Sequence, residues 1–198
     1  MAKFSNFTTR GSSSNVLEHI SGVCDGRTVT SLNGDITFPT TSIQGLSTSH
    51  AAVNGSAISY QPPNNTKTVI WRTWWSVYYV DYDFLFHVKP QIGDGAGSES
   101  FTDMMYYRFS DFDYSYSSYS RPLNNYNLDV AIQITGSDDI AKAKVATWSI
   151  PRTLRLTARE YSSSYDCEFS ELVWWDGTST NIHNTVPRNM YIELISLS

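Results

Sequence analysis

The stretch that decides the fold class runs from Lys67 to Lys89 and reads Lys-Thr-Val-Ile-Trp-Arg-Thr-Trp-Trp-Ser-Val-Tyr-Tyr-Val-Asp-Tyr-Asp-Phe-Leu-Phe-His-Val-Lys. Most of its residues are β-branched or aromatic, and such side chains pack well on a pleated surface but lose rotamer freedom in a helix. Phe84, Phe86 and Val88 fall on alternate positions, as in a strand with one buried face. The stretch therefore predicts an all-β protein.

Short extended runs separated by turn signals continue on both sides of this stretch. Asn33-Gly34 and Asn54-Gly55 supply the positive φ angles that tight hairpins require. Two further runs alternate between apolar and polar residues, 127–134 and 154–159. The remaining predicted strands cover residues 27–32, 35–38, 50–60, 101–113, 144–148, 166–175 and 189–197. About ten short strands of this kind predict an antiparallel two-sheet β-sandwich, a jelly roll.

The length of the chain indicates the number of domains, and its charge indicates which partners are not expected. The chain has 198 residues, enough for one well-buried core, and a formal net charge of -5. Clustered Lys and Arg favour binding to nucleic acids and anionic membranes, and this sequence has no such cluster. Neither is therefore expected as a partner, and no membrane insertion is expected. Residues 1–15 are polar and predict a flexible arm, and residues 16–198 predict a single jelly-roll domain made in the cytoplasm without a signal peptide.

Motifs for catalysis, metals and cofactors give little signal. The four histidines fall at no metal-binding spacing, and the sequence has neither a Gly-x-Ser-x-Gly elbow nor a phosphate-binding glycine loop, so no metal, cofactor or enzymatic activity is expected. The acidic run 166–171 is similar to the acid-rich strand of some jelly-roll glucanases, but its first two acids are interchanged relative to that pattern, and a solvated strand face is the simpler interpretation. Cys24 and Cys167 favour free thiols over a disulfide because unsecreted chains stay reduced.

Two aromatic sets next to polar residues are candidates for glycan binding. They are Trp174 and Trp175 with Asp176, and Tyr114, Tyr116 and Tyr119 among serines. An aromatic ring beside a hydrogen-bonding side chain suits a sugar, which has an apolar face and a rim of hydroxyl groups. The alternative is an extended surface loop or a contact between subunits.

The C-terminal strand is apolar on both faces. Met190, Ile192 and Leu194 fall on one face, and the opposite face carries Tyr191, Ile195 and Leu197. A strand that is apolar on both faces must be covered on both. The second cover comes either from another subunit, which makes Tyr191, Ile195 and Leu197 candidate oligomer contacts, or from the chain's own loops.

The order of these features resembles the compact trimeric jelly rolls of the tumour-necrosis-factor and complement-C1q type. Three segments are also similar to uncharacterised proteins of phages and large DNA viruses of aquatic microbes: Gly22-Val23-Cys24-Asp25-Gly26-Arg27, Asn33-Gly34-Asp35-Ile36-Thr37-Phe38-Pro39 and Asn54-Gly55-Ser56-Ala57-Ile58-Ser59-Tyr60-Gln61-Pro62-Pro63. The resemblance covers roughly the first half of the chain. It implies a viral structural protein at the virion surface, a minor capsid protein or fibre head, that forms a homotrimer and attaches to other virion proteins. A lectin-like module that recognises a host glycan is the alternative.

Overall fold

The computed structural model describes residues 15–79, 83–114, 123–165, 167–174 and 184–198. These residues form seventeen strands and two 3₁₀ turns, Met105–Tyr107 and Ile140–Lys142. The strands are β1 (Val16–Val23), β2 (Thr28–Ser31), β3 (Gly34–Thr37), β4 (Gln44–Gly45), β5 (Ala51–Ala52), β6 (Ile58–Tyr60), β7 (Thr68–Tyr79), β8 (Asp83–Gly93), β9 (Phe101–Asp103), β10 (Phe109–Tyr114), β11 (Leu123–Ile134), β12 (Lys144–Val145), β13 (Arg152–Glu160), β14 (Cys167–Phe169), β15 (Glu171–Trp174), β16 (Asn184–Pro187) and β17 (Tyr191–Leu197).

Two main sheets make up the sandwich. The larger sheet has the order β1-β17-β7-β11-β12, with β14 and β4 continuing beside β7, and the smaller sheet has the order β10-β8-β13-β5, with β9 beside β8 and β6 beside β13. Strands β2 and β3 form a hairpin, and β15 pairs with β16. The pairings in the described residues are antiparallel except for β11 with β12, which is parallel over two residue pairs. The predicted all-β, two-sheet sandwich is confirmed.

The core lies between the inner faces of the two sheets. From the larger sheet, Trp71 is fully buried and Trp75 is 3% exposed. The Trp75 ring packs against Phe109 of β10 with centroids 6.4 Å apart, and Phe86 of β8 lies 5.8 Å from Phe169 of β14. Full burial of one such side chain stabilises the fold by about 1.5–3 kcal/mol. The aromatic stretch that predicts the fold class therefore also supplies much of the core.

The alternation predicted for the strands is largely confirmed. Phe84, Phe86 and Val88 are buried, whereas Leu85 and His87 between them are half-buried. Trp74 and Trp75 are adjacent on β7, so one side chain must face inward and the other outward. Trp75 accordingly faces the core and Trp74 is 37% exposed on the opposite face.

The predicted number of strands was too low, and several boundaries were wrong. The predicted strand 101–113 is broken by the 3₁₀ turn Met105–Tyr107, and the predicted strand 166–175 is broken at Ser170, whose φ of 61° lies in the left-handed region. Predicted strand 50–60 is divided by the turn at Gly55. Strand β1 was not predicted, because Glu, His, Ser and Gly within it weaken the strand pattern.

Gly55 shows why one of the Asn-Gly turns needs glycine. Its φ is 80°, and a Cβ atom there would lie 2.6 Å from the Cα of Thr41. A larger residue would therefore meet both backbone strain and a steric clash. The turn brings the β5–β6 segment against the segment that follows β3.

The described residues include both cysteines and the last residue of the predicted arm, Asn15. Cys24 and Cys167 are buried free thiols. Residues 1–14 of the predicted arm lie outside the described residues, while Asn15 exchanges backbone and side-chain hydrogen bonds with Ser198. In the described ranges, no helix is long and apolar enough to cross a membrane.

Candidate functional site

The aromatic sets predicted to bind glycan are only partly described. Trp175, Asp176, Tyr116 and Tyr119 lie outside the described residues. The backbone of Trp174 ends β15, and that of Tyr114 ends β10 in the smaller sheet. Trp174 and Tyr114 therefore belong to different sheets, and glycan binding through these segments stays a prediction.

The acidic run 166–171 is divided between two strands. Glu168 is half-buried in β14, Glu171 begins β15 and is 5% exposed, and Asp166 lies outside the described residues. Ser170, with its positive φ, separates the strand that carries Glu168 from the strand that begins with Glu171, so the acidic run does not form one continuous strand.

The predicted contact residues of the C-terminal strand share one side of β17. Strand β17 is internal, since it pairs with β1 on one edge and with β7 on the other. Its inward residues Ile192 and Leu194 are fully buried, whereas Tyr191, Ile195 and Leu197 are half-buried. Their sharing of one face is confirmed, and their role as oligomer contacts stays a prediction.

These residues belong to a continuous surface that we call the outer face. It consists of the side chains that point away from the core on four adjacent strands of the larger sheet: His19 and Ser21 of β1, Tyr191, Glu193, Ile195 and Leu197 of β17, Thr68, Ile70, Arg72 and Trp74 of β7, and Asn127, Asp129, Ala131 and Gln133 of β11.

A row of four charged or titratable side chains crosses the middle of the outer face. His19 Nε2 lies 2.7 Å from Glu193 Oε1, and Arg72 Nη1 donates to Glu193 Oε2 over 3.0 Å. Arg72 Nε lies 3.4 Å from Asp129 Oδ2 on the next strand. The register makes this row possible because Arg72 is directly opposite Glu193 on one side and Asp129 on the other. We call these four residues the charge row.

Apolar groups lie on both sides of the charge row. On one side, the rings of Trp74 and Tyr191 meet edge to face with centroids 5.2 Å apart. On the other side, the register places Ile70 between Ile195 and Ala131. The outer face therefore combines two apolar bands with a band of paired charges.

A second surface feature is a cavity of about 730 Å³ on the outside of the smaller sheet. Its charged and polar wall is formed by residues of β8, β13 and β10, the 3₁₀ turn before β10 and the segment before β5: His50, His87, Lys89, Tyr106, Arg108 and Arg159. We call it the cationic cavity, because no carboxylate is among the residues that line it.

His87 lies at the centre of this wall. The register places it directly between Arg159 of β13 and Ser110 of β10. Its Nδ1 is 2.7 Å from Ser110 Oγ, whereas its Nε2 is buried and has no hydrogen-bond partner among the described residues. Nδ1 of His50 is likewise buried without such a partner within the described part of the chain.

Burial, reinforced by neighbouring cations, keeps both histidines neutral. Burial, followed by the positive charges of Lys89 and Arg159, lowers the pKa of His50 to about 4. Burial and the charge of Arg159 also lower the pKa of His87 below its ordinary value. Near neutral pH both rings are therefore uncharged beside cationic neighbours.

Of the three Lys and Arg side chains that line the cationic cavity, one, Lys89, has a carboxylate partner among the described residues. Lys89 Nζ lies 2.7 Å from Asp103 Oδ2 of β9, and this carboxylate also accepts a hydrogen bond from Gln91 over 2.6 Å. Neither Arg108 nor Arg159 forms a salt bridge with a carboxylate in the described residues. Their side-chain hydrogen bonds go to the backbone oxygens of Met105 and Glu160.

Sequence reasoning did not find the cationic cavity. Its residues lie far apart in the chain, from His50 to Arg159, and only strand pairing brings them together. A partial signal was present, since His87 and Lys89 occupy successive outward positions of one predicted strand. The sequence alone could not show that Arg159 would lie opposite His87.

Neither a search for metal-binding groups in the described residues nor comparison with known proteins identifies a further function. Within the described residues, no group of three or more His, Cys, Asp or Glu side chains is arranged to hold a metal ion. Comparison with protein-family models gives no match, and neither does comparison with curated proteins.

Proposed function

We propose that the chain is a non-enzymatic structural protein that assembles with copies of itself through the outer face of the larger sheet. One observation carries the proposal: β17 is an internal strand, yet its outward side chains Tyr191, Ile195 and Leu197 are only half-buried. Large apolar side chains in the middle of a sheet are normally covered, and a contiguous exposed patch of them is typical of an interaction site. A second copy of the chain would provide the cover.

The composition of the outer face suits a protein partner. Trp74 and Tyr191 form an aromatic pair at one end, and Ile70 and Ile195 are direct neighbours at the other. Aromatic residues and Arg are enriched at protein interfaces, where they account for much of the binding energy. The central Arg72 is of this type.

The charge row can enter an interface without leaving an isolated charge. Glu193 already contacts both His19 and Arg72, and Arg72 also contacts Asp129. Burying a charge costs several kcal/mol when it has no partner and much less when it is paired. The row therefore lowers the cost of covering the two apolar bands beside it.

The number of copies and their setting rest on the resemblance to trimeric jelly rolls and to virion-surface proteins. It supports a homotrimer that forms a surface, minor capsid or fibre-head component of a virion. In this arrangement the polar arm, residues 1–15, would attach the domain to other virion proteins, since its composition buries little apolar surface.

The test is the mass in solution of the unmodified protein and of two variants, measured by light scattering after size exclusion. We expect about three chain masses of 22.3 kDa for the unmodified protein. Ile195→Asp should give a monomer, because a carboxylate buried in the interface without a partner costs about 3 kcal/mol or more. Ile150→Asp is the matched control, since Ile150 is 47% exposed and lies outside the outer face.

The outcomes separate the parts of the proposal. A monomer at micromolar concentration for the unmodified protein would overturn self-assembly. Two chain masses would overturn the trimer and retain self-assembly. Equal dissociation by Ile195→Asp and Ile150→Asp would mean that the outer face is not the contact surface.

A further inference from the structure

The cationic cavity combines features that no part of the assembly proposal uses. Two arginines, Arg108 and Arg159, lack a salt bridge to any described carboxylate, and their neighbours His50 and His87 each have a buried ring nitrogen without a described hydrogen-bond partner. Buried polar atoms in proteins are nearly always satisfied, so such a group calls for a ligand or an ordered water. The chemistry missing from this site is a hydrogen-bond acceptor with negative charge.

We propose that the cationic cavity binds a ligand through an oxyanion group, such as a sulfate or a phosphate. Arg159 and Arg108 would donate charged hydrogen bonds to this group, and guanidinium groups match oxyanion geometry with two parallel donors. When Ser110 donates its hydroxyl hydrogen to Nδ1 of His87, the opposite ring nitrogen carries a proton and becomes a further donor.

The dimensions of the cavity favour an oxyanion attached to a larger body. The volume of about 730 Å³ far exceeds a single sulfate, for which a few tens of Å³ suffice. Tyr106 on the cavity wall is 73% exposed and Met105 next to it is 39% exposed. A flat aromatic ring beside a polar wall can cover the body of a sugar-sized ligand.

Charges on all neighbouring elements determine how the site responds to pH. Strand β8 contributes His87 and Lys89, β13 contributes Arg159, β9 contributes Asp103 to Lys89, and the segment before β10 contributes Arg108. His50 enters from the segment before β5, and the ring of Tyr161, just after β13, packs edge-on against His87 with centroids 6.4 Å apart. A bound oxyanion would supply the negative charge that protonated histidines need, so ligand binding and histidine protonation should strengthen each other.

The test is calorimetric titration of the full-length protein with inorganic sulfate, glucose 6-sulfate and neutral glucose at fixed ionic strength. We expect glucose 6-sulfate to bind more tightly than sulfate, and glucose alone not to bind. Arg159→Gln should weaken binding of glucose 6-sulfate about tenfold or more, and Arg108→Gln about threefold to tenfold, because each removes charged hydrogen bonds. Lys67→Gln, an equal change of charge beside the larger sheet, is the matched control and should leave the affinity unchanged.

A second readout keeps the site distinguishable from general charge attraction. Proton NMR of the His50 and His87 rings gives their pKa with and without glucose 6-sulfate, and saturating ligand should raise both by about one unit for a tenfold coupling. The absence of binding at about 10 mM sulfate and glucose 6-sulfate would overturn the proposal, since that is weaker than a built site provides. Equal weakening by Arg159→Gln and Lys67→Gln, or unchanged histidine pKa values in the presence of bound ligand, would also overturn it.

Discussion

The outer sides of the two sheets are both built from alternate strand residues, yet they balance their charges differently. On the larger sheet, Glu193 and Asp129 hold Arg72 at 3.0 and 3.4 Å. On the smaller sheet, Arg159 lies beside His50 and His87 with no described carboxylate paired to it. A balanced surface can be covered by another protein surface at low cost, whereas an excess of positive charge needs an anion to balance it. The difference between the two sides underlies the separate roles proposed for them.

The largest effect is expected from reversing the charge of one arginine on each sheet. Arg72→Glu would place three carboxylates on neighbouring strands, and we expect a loss of about 2–3 kcal/mol of unfolding free energy. For a chain of this size the melting temperature should fall by about 5–10 °C. Arg159→Glu should change stability by less than about 1 kcal/mol, because it relieves repulsion among cationic neighbours.

Both variants should be compared with the unmodified protein by calorimetric melting at one protein concentration, since an assembling chain melts at a concentration-dependent temperature. Similar destabilisation by the two reversals would show that the two sides do not differ in charge balance. A larger loss for Arg159→Glu than for Arg72→Glu would invert the comparison.

A smaller effect is expected from acid, through His50. Its pKa is lowered to about 4 by burial and by neighbouring cations, below the ordinary value of 6.5. Unfolding restores the ordinary pKa, so the unfolded chain binds the proton first, and stability falls as the pH drops from about 6.5 to about 4. Solvent reaches part of the ring and screens these charges, which reduces the expected loss to about 1 kcal/mol.

Denaturant midpoints at pH 7 and pH 4.5 measure this loss. His50→Gln removes the titrating group, so its midpoint should fall less between the two pH values than that of the unmodified protein. The same fall in both proteins would exclude His50 as a contributor to the acid loss.

The sequence could predict the features that depend on alternation along a strand or on a two-residue turn motif. Alternation in β8 and β11 identified which side chains face the core, and Asn-Gly pairs identified turns such as that at Gly55. The shared face of Tyr191 and Ile195 followed from the same period of two. These properties depend on neighbours along the chain.

The features that sequence missed depend on strand pairing or on single backbone angles. The charge row requires Arg72 to lie opposite Glu193, which is 121 residues away. The cationic cavity requires β13 to bring Arg159 beside His87. The break at Ser170 is a left-handed residue in a run that otherwise favours a strand. No local pattern encodes which strands become partners.

The smallest expected effect concerns Asp103, the carboxylate that partly balances the cationic side. Burial raises its pKa, but the hydrogen bonds from Lys89 and Gln91 outweigh that and hold the pKa below its ordinary value, so it is charged near neutral pH. Asp103→Asn keeps an oxygen acceptor for these donors and removes the negative charge. Lys89 would then act on the cationic cavity with its full charge.

We expect Asp103→Asn to bind glucose 6-sulfate about threefold to tenfold more tightly in calorimetric titration while losing less than about 1 kcal/mol of stability. Asp129→Asn is the matched control, because it makes the same change of charge in the charge row of the larger sheet. Its affinity for glucose 6-sulfate should equal that of the unmodified protein. A tighter affinity in both variants would show that net charge, rather than the local balance beside Lys89, controls binding, and a weaker affinity in Asp103→Asn would show that Asp103 positions Lys89 for the ligand instead of competing with it.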